Sequence, residues 1–297
     1  MRVFVTGATG FVGSAVVPEL VAAGHEVVGL ARSDEAEALL KSAGAEAYRG
    51  SLDDPEGLAR AAAVADGVIH LAFIHDFTDI YAAGATDLRA IEAMGAALTG
   101  SGKPFLVTSG TGIVRADGDG AVTEEDGPAP GGHRTASEEA TLALAERGVR
   151  ACLVRLAPSV HGRGDQGFVP RLIGIARAKG VSAYVGDGAN RWTGVHRSDA
   201  ARLYRLALES APAGTRLHAT DEEGVPFRDI AAVIGRHLDV PVVSMPVEGA
   251  QDHFGWLGRF AGADCPSSSA RTRGLLGWEP QGPGLLADLD EGHYFEA

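Results

Sequence analysis

The sequence predicts an α/β fold: a doubly wound parallel Rossmann sheet with a second, smaller α/β C-terminal substrate lobe. Three observations predict it. A glycine-rich turn, Gly7, Gly10 and Gly13, lies between a strand-like run and a helix-like run at the N-terminus. Strand and helix patterns then alternate as far as residue 156. After Pro158 that rhythm gives way to shorter elements broken by Pro and Gly.

Taken in order, residues 2–6 alternate β-branched and apolar side chains and read as a buried strand. Residues 14–23 are helical, with Pro18 as the one irregularity and Gly24 as the stop. Strand patterns at 26–30, 45–49, 67–73, 104–109 and 149–156 alternate with helical patterns at 35–43, 55–63, 84–100 and 134–147. This spacing gives successive βαβ units. Residues 1–161 are expected to form the dinucleotide-binding domain, with 195–220 returning to its sheet. Residues 162–194 and 221–297 are expected to form the substrate lobe. The acidic stretch 115–132 is long enough to be a functional lid.

The glycine turn carries the cofactor prediction. Gly7 permits a tight turn, Gly10 lets the backbone approach a pyrophosphate, and Gly13 lets helix and strand pack closely. The helix N-terminus then offers free N–H groups and a positive dipole end to the phosphates. At the end of the second strand, where an NAD pocket usually carries an acid for the ribose, stand Leu30 and Ala31, followed by Arg32 and Ser33. An Arg there can pair with a 2′-phosphate, so NADP(H) is expected over NAD(H). Asp34 is expected to cap the next helix.

Composition removes several other functions. The 297 residues carry a formal charge of −13, with no Lys/Arg run to bind nucleic acid or an anionic membrane. No apolar run approaches the ~20 residues of a membrane span. No secretory signal pattern is read at the N-terminus. Cys152 and Cys265 are two isolated thiols, neither a disulfide framework nor a zinc site. These features predict a cytoplasmic protein with a small-molecule substrate and leave a homodimer open. The histidines have no zinc spacing, so no metal is expected. Ser109 is not in a G-x-S-x-G elbow, and neither Cys has a His-bearing motif nearby.

By its motifs the chain resembles the short-chain dehydrogenase/reductase superfamily, in its extended, epimerase/dehydratase-like branch. "TGATGFVG" is similar to that branch's turn and "HLAF" to its cofactor-lining strand. "VTSGTGIV" falls where its active-site Ser/Thr strand ends, and "VRLAPSVHG" resembles its segment beside the nicotinamide. "VGDGANRWTGVHRSDAARLYRLALE" and "LGWEP" are similar to its later landmarks. The resemblance implies cofactor contacts from Gly7, Thr9, Gly10, Phe11, Val12 and Gly13. It adds Arg32, Ser33, Ser51 and Leu52, then Leu71, Ala72 and Phe73, and finally Thr108, Arg134, Pro158 and Ser159.

In that superfamily a Tyr handles the proton of hydride transfer, and a Lys four residues later lowers its pKa and holds the ribose. The tyrosines here, at 48, 81, 184, 204 and 294, have no Lys four residues on, and the lysines are Lys41, Lys103 and Lys179. Aligning the stretch "PAPGGHRTASEEATLALAERG" puts Arg134 at the lysine position and Pro130 at the tyrosine position, with Gly110 at the serine position. The pattern resembles an atypical subgroup that keeps the cofactor turn without the Tyr/Lys pair.

Candidate replacements follow from side-chain chemistry. Arg134 can hold ribose or phosphate and stabilise an alkoxide, but its pKa above ~12 excludes it as a proton donor. Ser109 and Thr111 can hydrogen-bond a substrate carbonyl, or simply cap the strand end. His75, beside Asp76 after the fourth strand, can act as general acid, and His133 can enter from the lid. His161 lies in the segment expected beside the nicotinamide. His70 reads as buried, and His196 with Ser198 or Asp199 as a helix cap. Phe168, Trp192, Phe254, Trp256 and Phe260 either line an apolar pocket or pack a core, and Arg191 is expected near them.

The function expected is an NAD(P)-dependent oxidoreductase, with NADP(H), acting on a small apolar aldehyde, ketone or secondary alcohol. Two other readings use the same residues: a non-catalytic NADP(H)-binding sensor, or an epimerase, dehydratase or isomerase with tightly held cofactor.

Overall fold

Alternation along the first strand sets the layers. In β1 (Arg2–Thr6) Val3 and Val5 point into one core and Phe4 into another, as a period of two requires. The structure, a computed structural model, describes residues 1–75, 79–116 and 120–296. Asp76 and residues 117–119 of the predicted lid lie outside the described residues.

The first half alternates strand and helix. After β1 come α1 (Gly13–Ala22), β2 (Glu26–Ala31), α2 (Asp34–Ser42), β3 (Glu46–Arg49) and α3 (Pro55–Val64). Then follow β4 (Gly67–His70), α4 (Ile80–Leu98), β5 (Pro104–Gly110), α5 (Thr135–Glu146) and β6 (Arg150–Leu156). The second half holds β7 (Ser159–His161), α6 (Phe168–Lys179), β8 (Ser182–Val185), β9 (Arg191–His196), α7 (Arg197–Ser210) and β10 (Arg216–Ala219). It ends with β11 (Glu222–Pro226), α8 (Phe227–Leu238), β12 (Val242–Met245), α9 (Ala250–Phe254), α10 (Gly258–Ala261), α11 (Ala270–Leu276) and α12 (Leu285–Asp290).

The main sheet is seven-stranded and parallel, in the order β10-β6-β5-β4-β1-β2-β3. The order reverses direction between β1 and β4, the switch point where a crevice forms outside the carboxyl ends of the strands. Helices α1 and α7 cover one face, and α3, α4 and α5 the other. A third core, around Val169, Trp192, Phe227, Ile230 and Leu285, holds together a three-stranded sheet (β11-β9-β7), the parallel pair β12-β8 and the later helices.

Several local expectations change. Ser33, not Asp34, caps α2: its side chain accepts from Ala36 N, and Asp34 is the first helical residue. His196, not Ser198 or Asp199, caps α7, because Asp199 is turned inward to accept from Gln281 N and Gly282 N. Strand β4 stops at His70 rather than 73, since Ala72 N donates to the Thr6 side chain instead of a neighbouring strand. Helix α4 begins at Ile80, four residues before 84, behind an Asp79 cap that accepts from Ala82 N. The described part of the 115–132 stretch is anchored. Glu124 accepts from Thr272 N and its hydroxyl at 2.8 and 2.7 Å, and Asp126 O accepts from Arg155. A buried carboxylate with two such bonds holds its loop in place rather than leaving a lid free to swing.

Candidate active site

At the switch point the backbone dictates the glycines. Gly7 has φ +68°, and a Cβ there would lie 2.7 Å from Ala72 N. A Cβ on Gly13 would collide with Gly7 O and Ala8, so only glycine lets α1 close on the turn. Gly10 differs: a Cβ would meet only Gly7 O, at 3.2 Å, and its other side is open. This is the cradle a pyrophosphate needs, with backbone exposed at Gly10 and the first turn of α1 behind it. The residues present therefore fit a dinucleotide cofactor.

Around the cradle, Phe11 lies under the Arg197 guanidinium at 4.9 Å, and Arg197 donates to Ser14 Oγ at 3.1 Å. Sequence reading passed over Arg197; the signal was its place in "VHRSDAARL", at the head of the helix that packs on α1. Thr9 and Val12 complete the turn between β1 and α1. Arg32 is exposed at the end of β2, beside the α2 cap Ser33. Ser51 Oγ accepts from Asp53 N, and Leu52 is buried in the second core.

A polar chain runs beneath the carboxyl ends of β4 and β5. Ala72 N donates to Thr6 Oγ1, which lies 2.7 Å from His70 Nδ1; His70 Nε2 lies 3.2 Å from Asp87 Oδ1. Asp87 also accepts from Arg134 at 3.2 and 3.3 Å and from Ser137 Oγ at 2.7 Å. Burial pushes the Asp87 carboxyl up, but Arg134, His70 and Ser137 together hold it below its ordinary range. An ionised Asp87 can only accept, so His70 Nε2–H donates to it and Nδ1 is left to face the Thr6 hydroxyl.

Arg134 stands at the head of α5, donates to Thr108 O as well, and lies 4.3 Å over the Phe73 ring. Phe73 in turn meets His75 and His133 at 5.3 and 6.0 Å between ring centroids. Gly84 lets α4 approach the His133 carbonyl, which a Cβ would strike. Burial, then the Arg134 charge, lowers the pKa of both His75 and His133. The structure thus brings His75, His133, Arg134, Phe73 and Thr108 together.

Ser109 follows Thr108, and its Oγ is buried without a hydrogen-bond partner. Thr111 is buried one turn on, its hydroxyl 3.5 Å from Leu156 O, tied to the end of β6. Leu71 packs on the first core. Pro158 lies near Gly112, and the buried Ser159 Oγ at the start of β7 also has no partner. Tyr204 reaches Thr108 Oγ1 at 2.7 Å from α7, and burial pushes its phenol above the ordinary value. His161 is buried on β7, with Nδ1 2.9 Å from Asp288 Oδ2. Asp288, Glu291 and His293 bring one ligand atom each within 4.8 Å of one another, although Asp288 is already engaged by His161 and Tyr294. Arg191 is bound to Asp264 by two side-chain bonds at 3.0 and 2.7 Å.

A parallel sheet with this order and this glycine cradle at its switch point defines the class: an NAD(P)-binding Rossmann protein of the short-chain dehydrogenase/reductase superfamily. Residues 3–218 match the NAD dependent epimerase/dehydratase family, and the chain belongs to it. An uncharacterized protein of Saccharomyces cerevisiae is 50% identical over 97% of this chain and 98% of its own length. The 2-alkyl-3-oxoalkanoate reductase of Stenotrophomonas maltophilia is 32% identical over 83% of this chain and 78% of its own. In fold, UDP-glucose 4-epimerase of Thermotoga maritima matches with a TM-score of 0.78 at 20% identity, covering 99% of this chain and 98% of that one. Among the described residues no helix is long and apolar enough to cross a membrane.

Proposed function

We propose that this chain is an NADP(H)-dependent oxidoreductase acting on a small apolar ketone, aldehyde or secondary alcohol, with an active site that works without a Tyr/Lys pair. One observation carries the reading: Ser109 Oγ is buried and unpartnered at the carboxyl end of β5, beside the cofactor crevice. An unmade hydrogen bond on a buried hydroxyl costs about 1–3 kcal/mol. A substrate oxygen accepting from Ser109 removes that cost, so the site is complete only when occupied.

The cofactor, when bound, supplies or accepts hydride. The chain's own residues do the rest. Arg32 is exposed where a 2′-phosphate would lie, and Arg197 adds a cation beside the glycine turn. Arg134 is fixed by Asp87 and Thr108 O, so its charge is already aimed at the end of β5, where an oxyanion develops. It cannot give up its proton; His75 is the donor. With its pKa lowered, His75 is mostly neutral at neutral pH, ready to accept the proton of an alcohol. In the reductive direction its protonated fraction falls as pH rises through the lowered pKa, so carbonyl reduction slows on that limb. Tyr204 cannot substitute, because burial moves its phenol away from the operating range. The name of the Stenotrophomonas maltophilia reductase, a carbonyl reductase at 32% identity, supports the same class of reaction.

The test is NADPH oxidation with a panel of apolar ketones and aldehydes, comparing wild type with Ser109→Ala and His75→Asn. Turnover that drops in Ser109→Ala, with a pH limb lost in His75→Asn, supports the reading; no oxidation above the solvent rate overturns it. The family's epimerases and dehydratases motivate a second reading, internal use of a tightly held cofactor. Cofactor released from denatured protein, with no net NADPH oxidation, would favour it.

A further inference from the structure

After helix α12 the chain turns back at once. Gly292 takes φ +89°, and two residues on the Tyr294 hydroxyl accepts from Gly162 N at 2.9 Å, at the end of β7. This turn returns His293 to Asp288 of α12 and sets it beside Glu291. Two features of the cluster point to a ligand.

The first is how Asp288 divides its oxygens. Oδ2 lies 2.9 Å from His161 Nδ1 and 3.3 Å from the Tyr294 hydroxyl. Among the described residues nothing bonds to Oδ1, which faces His293, and no Arg or Lys pairs with Asp288 or Glu291. The second is His293 itself. Its side chain is 5% exposed, and its Nε2 is buried without a hydrogen-bond partner. Nε2 stands 3.7 Å from Asp288 Oδ1, and Nδ1 stands 3.9 Å from Glu291 Oε2. These separations are too long for hydrogen bonds. They suit ligands of one ion: with metal–ligand distances of about 2.0–2.2 Å, two ligands of one zinc stand about 3–4 Å apart. The ring is held there by Tyr294, 4.4 Å away between centroids. Asp288, Glu291 and His293 each offer one ligand atom within 4.8 Å of the others, and the exposed Glu291 side chain is free to rotate across the remaining gap.

We propose that Asp288, Glu291 and His293 form a divalent-cation site, with Asp288 Oδ1, a Glu291 oxygen and His293 Nε2 as ligands and water completing the shell. One imidazole with two carboxylates suits zinc or a similar transition metal better than magnesium or calcium. His161 and Tyr294 steady the Asp288 carboxylate through its other oxygen, as partners of a ligating carboxylate commonly do. The ion clamps the tail to α12, and the tail, through Tyr294, to the loop after β7. In that loop Arg163 O accepts from Arg197, which also donates to Ser14 and lies over Phe11 at the glycine turn. The sequence expectation of no metal rested on zinc spacings, and this site is made instead by the turn at Gly292.

The test uses the full chain without a histidine tag, stripped with EDTA and desalted, then titrated calorimetrically with zinc, manganese or magnesium chloride. Wild type is expected to bind a single zinc, more tightly than magnesium, and to melt at a higher temperature with zinc present. His293→Gln and Glu291→Gln should each weaken zinc at least about tenfold and abolish the rise in melting temperature. Because Glu291 is exposed, its variant tests the site independently of any folding defect in His293→Gln. His25→Gln, at the separate His25–Glu209 pair, should bind zinc as wild type does. No binding at millimolar zinc, or equal zinc affinity in wild type, His293→Gln and Glu291→Gln, overturns the proposal. Magnesium bound as tightly as zinc overturns the assigned class of metal.

Discussion

One helical turn apart at the head of α5 sit two buried ionic clusters that differ in a telling way. Arg155 and Glu138 pair through two bonds, at 3.0 and 2.6 Å, and Arg155 further donates to Asp126 O and lies 3.3 Å from His218 Nε2. Both side chains are essentially unexposed. Arg134 and Asp87 are also buried, but Arg134 Nε has no partner, Ser109 Oγ close along β5 has none, and the exposed His75 and half-buried His133 flank the group. The first cluster is complete and joins strand, helix and the 120–132 segment. The second is satisfied on its inner side, through His70 and Ser137, and unsatisfied on its outer side. A buried polar group left unmatched by the chain is free to take a partner from outside.

The largest effect expected from breaking this contrast is at the complete cluster. Glu138→Leu leaves Arg155 as a buried, unpaired cation, and should cost about 3–5 kcal/mol in urea unfolding. Ser109→Ala should do the opposite at the incomplete cluster: unfolding stability unchanged or slightly higher, but carbonyl reduction lowered about 100-fold, the order seen when one oxyanion donor is removed. A large stability loss in Ser109→Ala would show that the hydroxyl has a structural partner and would remove the contrast. Arg32→Ala should weaken NADPH binding about 10- to 100-fold, the loss of a charge-assisted bond, and leave NADH binding nearly unchanged. Equal weakening of both cofactors would overturn the choice of NADP(H).

The remaining effect is a pH dependence of stability. Burial first, with Arg155 adding to it, pulls His218 from 6.5 down to about 4 despite the opposing pull of Glu124. The folded protein keeps His218 neutral, whereas the unfolded chain takes up a proton near 6.5. This contribution is therefore fully present above pH 6.5, declines as pH falls, and levels off below about 4. Urea unfolding of wild type and His218→Asn across that window should show a shallower decline in the variant.

The same contrast explains what could be read from the sequence. The glycine turn was legible because most of its constraints are local: Gly10 and Gly13 close on Gly7 and Ala8, and Gly7 takes a left-handed φ, although its space is also closed by Ala72 beyond β4. The alternation of strand and helix was legible for a similar reason, since each period is written within a few residues. The Arg134 cluster was only half legible. Alignment to the family placed Arg134, but Asp87 lies 47 residues away on α4, and nothing in "ATDLRAIEAM" marks that Asp as buried. Asp288, which fixes His161 from 127 residues away, was invisible for the same reason. Helix caps shifted by one or more residues because Ser33 and His196 can cap as well as their neighbours, and at α7 Asp199 is taken up by the distant backbone of Gln281 and Gly282.

The most direct test of the account is the Ser109 hydroxyl, measured as NADPH-dependent carbonyl reduction and urea unfolding on the same preparations of wild type and Ser109→Ala. The account predicts a loss of about 100-fold in kcat with no loss of stability. Undiminished reduction in a variant that unfolds more easily than wild type would contradict it.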